Sequence, residues 1–482
     1  MNHRIIGPAL ALALGTLGVR EAQAQLFQSP QQFFTPIQTV GVAVGDINSD
    51  GRRDVVMASC ACGFQPNSYL YVYVGQADGT LNPAPVAYVL QGSGQGVSLG
   101  DVTGDGRPDV VMHAGLGMEI MAQNAAGGLE PSVVYPSNFA EALRIGDLNG
   151  DGRLDAIGLE LSVNGHDNTE EAGVWFQNPA GSFDAQVLVP LPHGFNDDLE
   201  LADVNGDGRL DVVNVNMFNE PPITILYQNA DGSLSAPVSL AIAPGVLANQ
   251  VAVGDLNNDG RKDLAVTWGG WFDNAHVAIF TQNADGSFAA PVSLDSGGEQ
   301  TALEIGDANG DGKQDLLLLH RVAISVWLQG TGGLGAVTSI AIPEAGGHHS
   351  QGFVASDING DGALDLAYSQ VGSQGALTVL YGIAPPPPPT NHPPVARPDQ
   401  ATLFCDGSAV IAVLANDRDA DGDALKVASV GRPAHGTATI TADGKRVRYD
   451  PRRRFRGTDR FTYTVTDGKG GTASATVTVT VR

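Results

Sequence analysis

One nine-residue string constrains this chain more than anything else in it, because it recurs seven times. The copies are DINSDGRRD from Asp46, DVTGDGRPD from Asp101, DLNGDGRLD from Asp147, DVNGDGRLD from Asp203, DLNNDGRKD from Asp255, DANGDGKQD from Asp307 and DINGDGALD from Asp357. They start 55, 46, 56, 52, 52 and 50 residues apart. A period of this size marks supersecondary units that cannot bury a core singly and must stack. An alternating stretch precedes each copy, as in GVAVG and ALEIG, and a short apolar run follows it, as in VVM and LLL. A third apolar stretch (LYVYV, ITILY, HVAIF) runs into a Gly-bearing turn such as NADGS and then a fourth stretch such as APVSL. Each unit therefore reads as a four-stranded antiparallel meander. Stacked radially, seven units predict an all-β chain built on a seven-bladed β-propeller.

The chain also shows how such a ring closes. The seventh unit stops at Leu380-Tyr381-Gly382 without a fourth stretch, while Phe27-Gln28-Ser29-Pro30 matches the opening Phe288-Ala289-Ala290-Pro291 of a fourth strand. An N-terminal strand is expected to complete the last blade and remove two open sheet edges.

Each copy carries Asp at positions one, five and nine and Gly at six, with Asn at three except for Thr103. Hard divalent cations take six to eight oxygen ligands, and a loop with oxygens on alternate residues wraps them around one point. The candidate metal ligands are Asp46, Asn48, Asp50 and Asp54; Asp101, Thr103, Asp105 and Asp109; Asp147, Asn149, Asp151 and Asp155; Asp203, Asn205, Asp207 and Asp211; Asp255, Asn257, Asp259 and Asp263; Asp307, Asn309, Asp311 and Asp315; and Asp357, Asn359, Asp361 and Asp365. The carbonyl of position seven adds another oxygen. A lone copy reads equally well as an Asx-turn. Seven copies crowd 21 carboxylates that would repel one another without a counter-ion, which favours structural Ca²⁺, up to seven ions in all. Position seven is Lys or Arg in six copies and Ala363 in one. Those side chains either offset charge or lie along the solvated rim.

Charge follows the repeat. The chain has 52 acidic and 26 basic residues, and residues 391–482 hold 10 and 14 of them, which leaves 42 and 12 for the rest. A net charge of -26 repels phosphate backbones and excludes a nucleic-acid-binding role.

These loops resemble the calcium loops of FG-GAP or VCBS repeats, the units of the integrin α-subunit propeller and of many bacterial surface proteins. The resemblance covers residues 25–382. It implies that calcium braces the hairpins and is not a reactant. Thr103 departs from the pattern, and the words behind the family's name are faint, as in Gly286-Ser287-Phe288.

Residues 1–24 begin with His3 and Arg4, continue through an apolar run and end in Ala22-Gln23-Ala24, the pattern of a cleaved signal peptide. A secreted or cell-surface protein without a membrane span is expected. Cys60, Cys62 and Cys405 make no disulfide framework. Residues 383–398 are a proline-rich spacer. From Asp399 to Arg482, strand-like runs separated by turns predict a small β-sandwich. It resembles bacterial cadherin-like or Ig-like domains through Leu414-Ala415-Asn416-Asp417, Asp419, Asp421 and Asp423, then Tyr449-Asp450-Pro451 and Phe461-Thr462-Tyr463. The Asp cluster reads either as another calcium site or as a solvated turn, and Arg452, Arg453, Arg454, Arg456 and Arg460 as a basic, solvated face.

No H-E-x-x-H or Walker string is present, and His113, His166, His193, His320, His348 and His349 lack partners at metal-ligand spacing. The chain is read as a non-enzymatic recognition or adhesion module, a monomer whose partner is an extracellular glycan or protein. A meander puts the Asp loops on one face. The other face gathers Ser59 to Tyr69, Pro192 to Asp198, Thr267 to Asp273 and His348-His349, where Trp268, Trp271 and Phe272 either meet a ligand or plug gaps between blades. A polysaccharide lyase, a glycosidase or a lectin on the same scaffold is the alternative. An enzyme should show acids or bases converging on the channel beyond the repeat Asp.

Overall fold

The computed structural model describes residues 25–482, apart from 60–66, 115–116, 138, 161–170, 193–195, 217–220, 244–245, 270–275, 297–299, 344–351, 371–374, 385–390 and 405–406. It divides into two compact units at Pro385/Pro386. The signal-peptide reading, all three cysteines, Trp271, Phe272, His166, His193, His348 and His349 lie outside the described residues.

The first unit holds seven four-stranded antiparallel sheets, one per repeat. In blade 1 the order is Thr39–Gly45, Asp54–Ser59, Ser68–Tyr73 and Val86–Leu90, from the axis outward. The innermost strands of blades 2 to 6 are Gly94–Gly100, Phe139–Gly146, Asn196–Ala202, Ala248–Gly254 and Gln300–Gly306. Each touches the innermost strand of the next blade, and Phe353–Ser356 of blade 7 touches that of blade 1. Blade 7 comprises Phe353–Ser356, Asp365–Gln370 and Gly375–Leu380, completed by the N-terminal strand Gln31–Thr35. Gln31 lies opposite Val379 and Thr35 opposite Gly375. Ahead of it Phe27 bridges Gly382, as Phe288 bridges Gln282 in blade 5, so the expected closure is present.

Burial explains why only some strands alternate in sequence. Second strands such as Asp54–Ser59, Asp211–Asn216 and Asp315–His320 are buried along their whole length, because both faces meet neighbouring blades. Outer strands expose Val86, Val133, Val187 and Val292. Seven apolar clusters fill the seven interfaces between adjacent blades, and Phe33 with Tyr73, Ile358 and Leu377 fills the one between blades 7 and 1. The second residue of every Asp loop plugs one of them: Ile47, Val102, Leu148, Val204, Leu256, Ala308 and Ile358 are all buried. Loop and core are thus one unit.

The second unit is a two-sheet β-sandwich. Asp399–Leu403, Thr472–Val481, Gly457–Thr466 and Lys426–Val430 form one sheet, with the first pair parallel. Ala409–Ile411, Val447–Pro451 and Gly436–Ile440 form the other. Val413, Val447, Tyr449, Tyr463, Val465 and Val477 lie at its core. No helix among the described residues is long and apolar enough to cross a membrane.

Candidate functional site

Every Asp loop joins the first and second strands of its blade and is built the same way. Positions four and six both have positive φ: Gly206 is at 79° and Gly208 at 84°, and at position four even Ser49 and Asn258 adopt 59°. Glycine tolerates that region without steric cost, and Asn visits it more readily than most residues. The sequence reading used the Gly at six and missed position four, where five Gly, a Ser and an Asn were the signal. The resulting turn aims backbone N–H groups inward. In blade 4, Asp203 accepts from the N–H groups of Gly206, Asp207 and Gly208 at 2.7 to 3.0 Å. Asn205 accepts from Asp207 at 2.9 Å, and Asp207 from Arg209 at 3.0 Å. Thr103 has no side-chain carbonyl for the bond that Asn makes in the other copies.

The ninth-position Asp does a different job from those at one and five. Asp54, Asp109, Asp155, Asp211, Asp263, Asp315 and Asp365 are all fully buried at the start of the second strand. Asp211 accepts from Val204 N–H at 3.0 Å with one oxygen and from Gln228 N–H, just beyond the third strand, at 2.9 Å with the other. Equivalent pairs of bonds recur in all seven blades, for example Ile47 and Gly75 on Asp54, and Ile358 and Gly382 on Asp365. Burial outweighs those bonds and, with the charges of Asp203 and Asp207, pushes the Asp211 carboxyl up to about 6. Asp54, Asp155, Asp315 and Asp365 reach about 6 as well, and burial raises Asp109 and Asp263.

Position seven is a clamp rather than a solvated rim. Arg209 donates through Nε to the Gln228 carbonyl at 2.9 Å and through Nη2 to Asp207. Arg52, Arg107, Arg153 and Arg261 repeat both contacts. Lys313 makes a longer version, and Ala363 cannot make one. The glutamines are a second feature that sequence reasoning missed. Besides its backbone bond to Asp211, Gln228 reaches through Nε2 to the Asp147 carbonyl of the preceding blade at 3.0 Å. Gln282 reaches Val204 and Gln329 reaches Asp255 in the same way. The recurrent Gln before NADG was the signal.

The loops fit a hard cation in the kind of donor they present. All are oxygens, and the buried carboxyl lies in the field of two other acids. The three carboxylates of a loop are not drawn together. Among the described residues, the one group of three acids with ligand atoms within 4.8 Å of one another is Asp419, Asp421 and Asp423 of the sandwich. There Lys469 contacts Asp423 at 2.8 Å and His392 contacts Asp421 at 2.9 Å. Arg452, Arg453, Arg454, Arg456 and Arg460 of the sandwich are exposed.

A further cluster lies on the innermost strands, and no motif in the sequence pointed to it. The innermost strands place one residue each in an identical register, three positions before the first Asp of the loop. These are Ala43, Ser98, Arg144, Glu200, Ala252, Glu304 and Val354. Arg144 donates to Glu200 at 2.8 Å and to Asp198 at 3.2 Å, and the two acids hold its guanidinium firmly protonated. Glu304 stands in blade 6, two blades removed from Glu200 and three from Arg144, at the same register of its innermost strand. Desolvation, reinforced by Glu200 and partly offset by Arg144, pushes the Glu304 carboxyl up to about 8.

On the opposite face, Trp268 ends the second strand of blade 5, packs on the core between blades 4 and 5 and stacks on His276 at 4.3 Å. It therefore fills a gap. His113 and His320 are buried in second strands.

A model of the FG-GAP-like repeat family matches residues 46–112, 147–214, 203–266 and 307–368, and a model of a bacterial Ig domain matches 391–480. Protein GAMETE EXPRESSED 2 of Arabidopsis thaliana is 36% identical over 88 residues, which is 18% of this chain and only 9% of that protein. Among solved structures, an Agrocybe aegerita lectin that recognises non-reducing terminal N-acetylglucosamine is 18% identical with a TM-score of 0.46, over 64% of this chain and 81% of its own. The periplasmic gluconolactonase PpgL of Pseudomonas aeruginosa is 18% identical with a TM-score of 0.45, over 64% and 86%. The V. cholerae biofilm matrix protein Bap1 is 11% identical with a TM-score of 0.40, over 75% and 88%. Seven sheets, seven like loops and the extent of the family match lead to one conclusion: the chain belongs to the FG-GAP-like repeat family and carries a bacterial Ig domain after its propeller.

Proposed function

We propose that this chain is an exported, calcium-braced recognition protein whose propeller binds an extracellular glycan or protein. The observation that carries the calcium reading is the buried ninth-position Asp, repeated seven times and held well above the usual carboxylate range beside two further acids. Asp, Asn and the position-seven carbonyl of each loop would hold the ion. When bound, Ca²⁺ supplies positive charge and fixes the hairpin. The chain's own residues do the rest. In blades 4 to 6 the Arg or Lys at position seven and the Gln after the third strand already tie the loop to its blade and that blade to the one before it. Calcium titration of the melting temperature, with chelator as control, tests this reading. An unchanged midpoint across the titration overturns it. Export is checked by N-terminal sequencing of protein recovered from the medium, with Gln25 expected first.

A polysaccharide-cleaving enzyme is the second reading, favoured by one observation. Glu304 holds the same register on its innermost strand as Glu200, with its carboxyl raised to about 8, which suits a general acid at neutral pH. A polysaccharide turnover screen comparing the protein with Glu304→Gln decides it. Turnover lost in the variant supports catalysis, and binding without turnover supports recognition.

A further inference from the structure

Eight of the chain's 26 basic residues lie between Lys445 and Arg460 of the sandwich, a stretch that holds two acids. Both acids are already spent. Asp450 accepts from Arg448 through Nε at 3.0 Å and Nη2 at 3.2 Å. Asp459 is buried, where it accepts from the N–H groups of Ala434 and His435 at 3.1 and 2.8 Å and from the Tyr449 hydroxyl at 2.8 Å. Arg452, Arg453, Arg456 and Arg460 are exposed, and their side chains make no hydrogen bond or ion pair with another described residue. The turn that carries them is nonetheless held in place. The Arg452 carbonyl accepts from Phe455 N–H at 3.0 Å, the Arg452 N–H reaches the His435 carbonyl at 2.7 Å, and Phe455 packs on the sandwich core and stacks on His435 at 4.4 Å. His435 thus bonds the turn with its carbonyl and Asp459, the neighbour of Arg460, with its N–H, which joins these arginines into one patch. Arg454 within the turn adopts a φ of 61°, a region that Gly or Asn occupies at lower cost.

We propose that this turn of the Ig domain binds an acidic polysaccharide, whose carboxylate or sulfate groups pair with Arg452, Arg453, Arg456 and Arg460. Guanidinium presents two parallel N–H donors that match the oxygens of such anions. Four cations side by side repel one another, and a polymer offsets several of them at once while releasing its own counter-ions. A small anion meets one arginine at a time and lacks that gain. The turn is fixed before the ligand arrives, so little ordering is left for binding to supply. Residues 391–482 carry 14 basic against 10 acidic residues, and repulsion from the Asp loops is screened beyond about 10 Å in 0.1 M salt. Nucleic acid is the poorer occupant, because single strands are held by stacking on exposed aromatics, and Phe455, the aromatic of this turn, is committed to the core and to His435.

The choice of a polysaccharide rests on the reading of the chain as exported, whereas the basic turn stands apart from the propeller and its calcium loops. Binding of the full chain to polygalacturonate and to dextran sulfate, with neutral dextran and a DNA duplex as comparisons, tests the proposal. Both acidic polymers should bind in the presence of chelator and neutral dextran should not, and the tighter of the two names the anion. Replacing three arginines together, Arg452→Gln, Arg453→Gln and Arg456→Gln, should weaken binding about tenfold or more in 0.1 M salt and lower the salt slope by roughly one per arginine. The melting temperature should stay that of the unaltered chain, because these side chains have no partner to lose. Unchanged affinity and salt slope in the triple variant overturn the proposal. Binding that survives in that variant and disappears with chelator places the polymer on the calcium loops, which supports the propeller reading and overturns this one. A DNA duplex bound as tightly as either polysaccharide overturns the choice of ligand.

Discussion

At Asp211 a single side chain carries three tasks: it starts the second strand, ties down the loop through Val204 and fastens the third strand through Gln228. Asp211→Asn keeps the volume but turns one acceptor into a donor facing an N–H group. We expect a loss of about 2–3 kcal/mol, measured as a shift in the urea midpoint. A change of less than about 0.5 kcal/mol would show that neither bond matters. Glu304 gives the pH prediction. Its carboxyl is raised from 4.5 to about 8 by desolvation, with Glu200 and Asp198 adding to the shift and Arg144 opposing it. The folded chain therefore binds this proton more tightly than the unfolded chain, and the associated stability is present at low pH and lost as pH rises from about 4.5 through about 8. Glu304→Gln should flatten the pH profile of the melting temperature in that window. A parallel profile in the variant refutes the assignment. The ninth-position Asp was legible in the sequence as part of a pattern, but its burial was not, because spacing does not say which of three acids enters the core.

At the level of the element, the hairpin carrying the Asp loop is locked to the turn between the third and fourth strands of the following blade. Gly181, at φ 75°, lies so close to the blade 2 loop that a Cβ would stand 2.2 Å from the Thr103 carbonyl oxygen. Gly181→Ala should cost at least about 1–2 kcal/mol through the left-handed backbone alone, with the clash adding to it. An unaltered urea midpoint would mean that the loops are not interlocked. The strand Gln31–Thr35 is the other element under test. It pairs with Gly375–Leu380 and buries Phe33 against Tyr73 at 5.4 Å. Deleting residues 25–36 should lower the melting temperature by about 10 °C or more and leave a strand edge open to self-association. Intact stability in the deletion would disprove closure by this strand. The strand itself was readable because its opening repeats that of the other blades, whereas its partner was inferred from what blade 7 lacked.

For the whole molecule, the strongest prediction concerns counter-ions. Seven divalent ions would take residues 1–390 from a net -30 to -16. Calcium should therefore raise the melting temperature in proportion to site occupancy, following mass action, and chelator should reverse the rise. Blade 7 should respond most, since Ala363 leaves its loop without the Arg or Lys that partly neutralises the other six. Restoring the clamp with Ala363→Arg should reduce the difference between calcium-loaded and chelated protein, as read by differential scanning calorimetry.

By itself the sequence determined the number of blades, the meander within each, the loop and its turn, and the small β-sandwich, because all of these are local and repeated. Hydrophobic period, Gly placement and Asp spacing act over a few residues, and seven copies make them unmistakable. The Gln links between blades and the arginine clamp were written in the sequence as well, yet their meaning depends on which blade lies next to which. The cluster on the innermost strands was marked by no motif. Arg144, Glu200 and Glu304 look like unremarkable charges on amphipathic strands until seven equivalent positions are wrapped into a ring. Closure brings side chains 160 residues apart, such as Arg144 and Glu304, into one electrostatic environment, and only the tertiary structure sets that distance and excludes the water that would otherwise screen it.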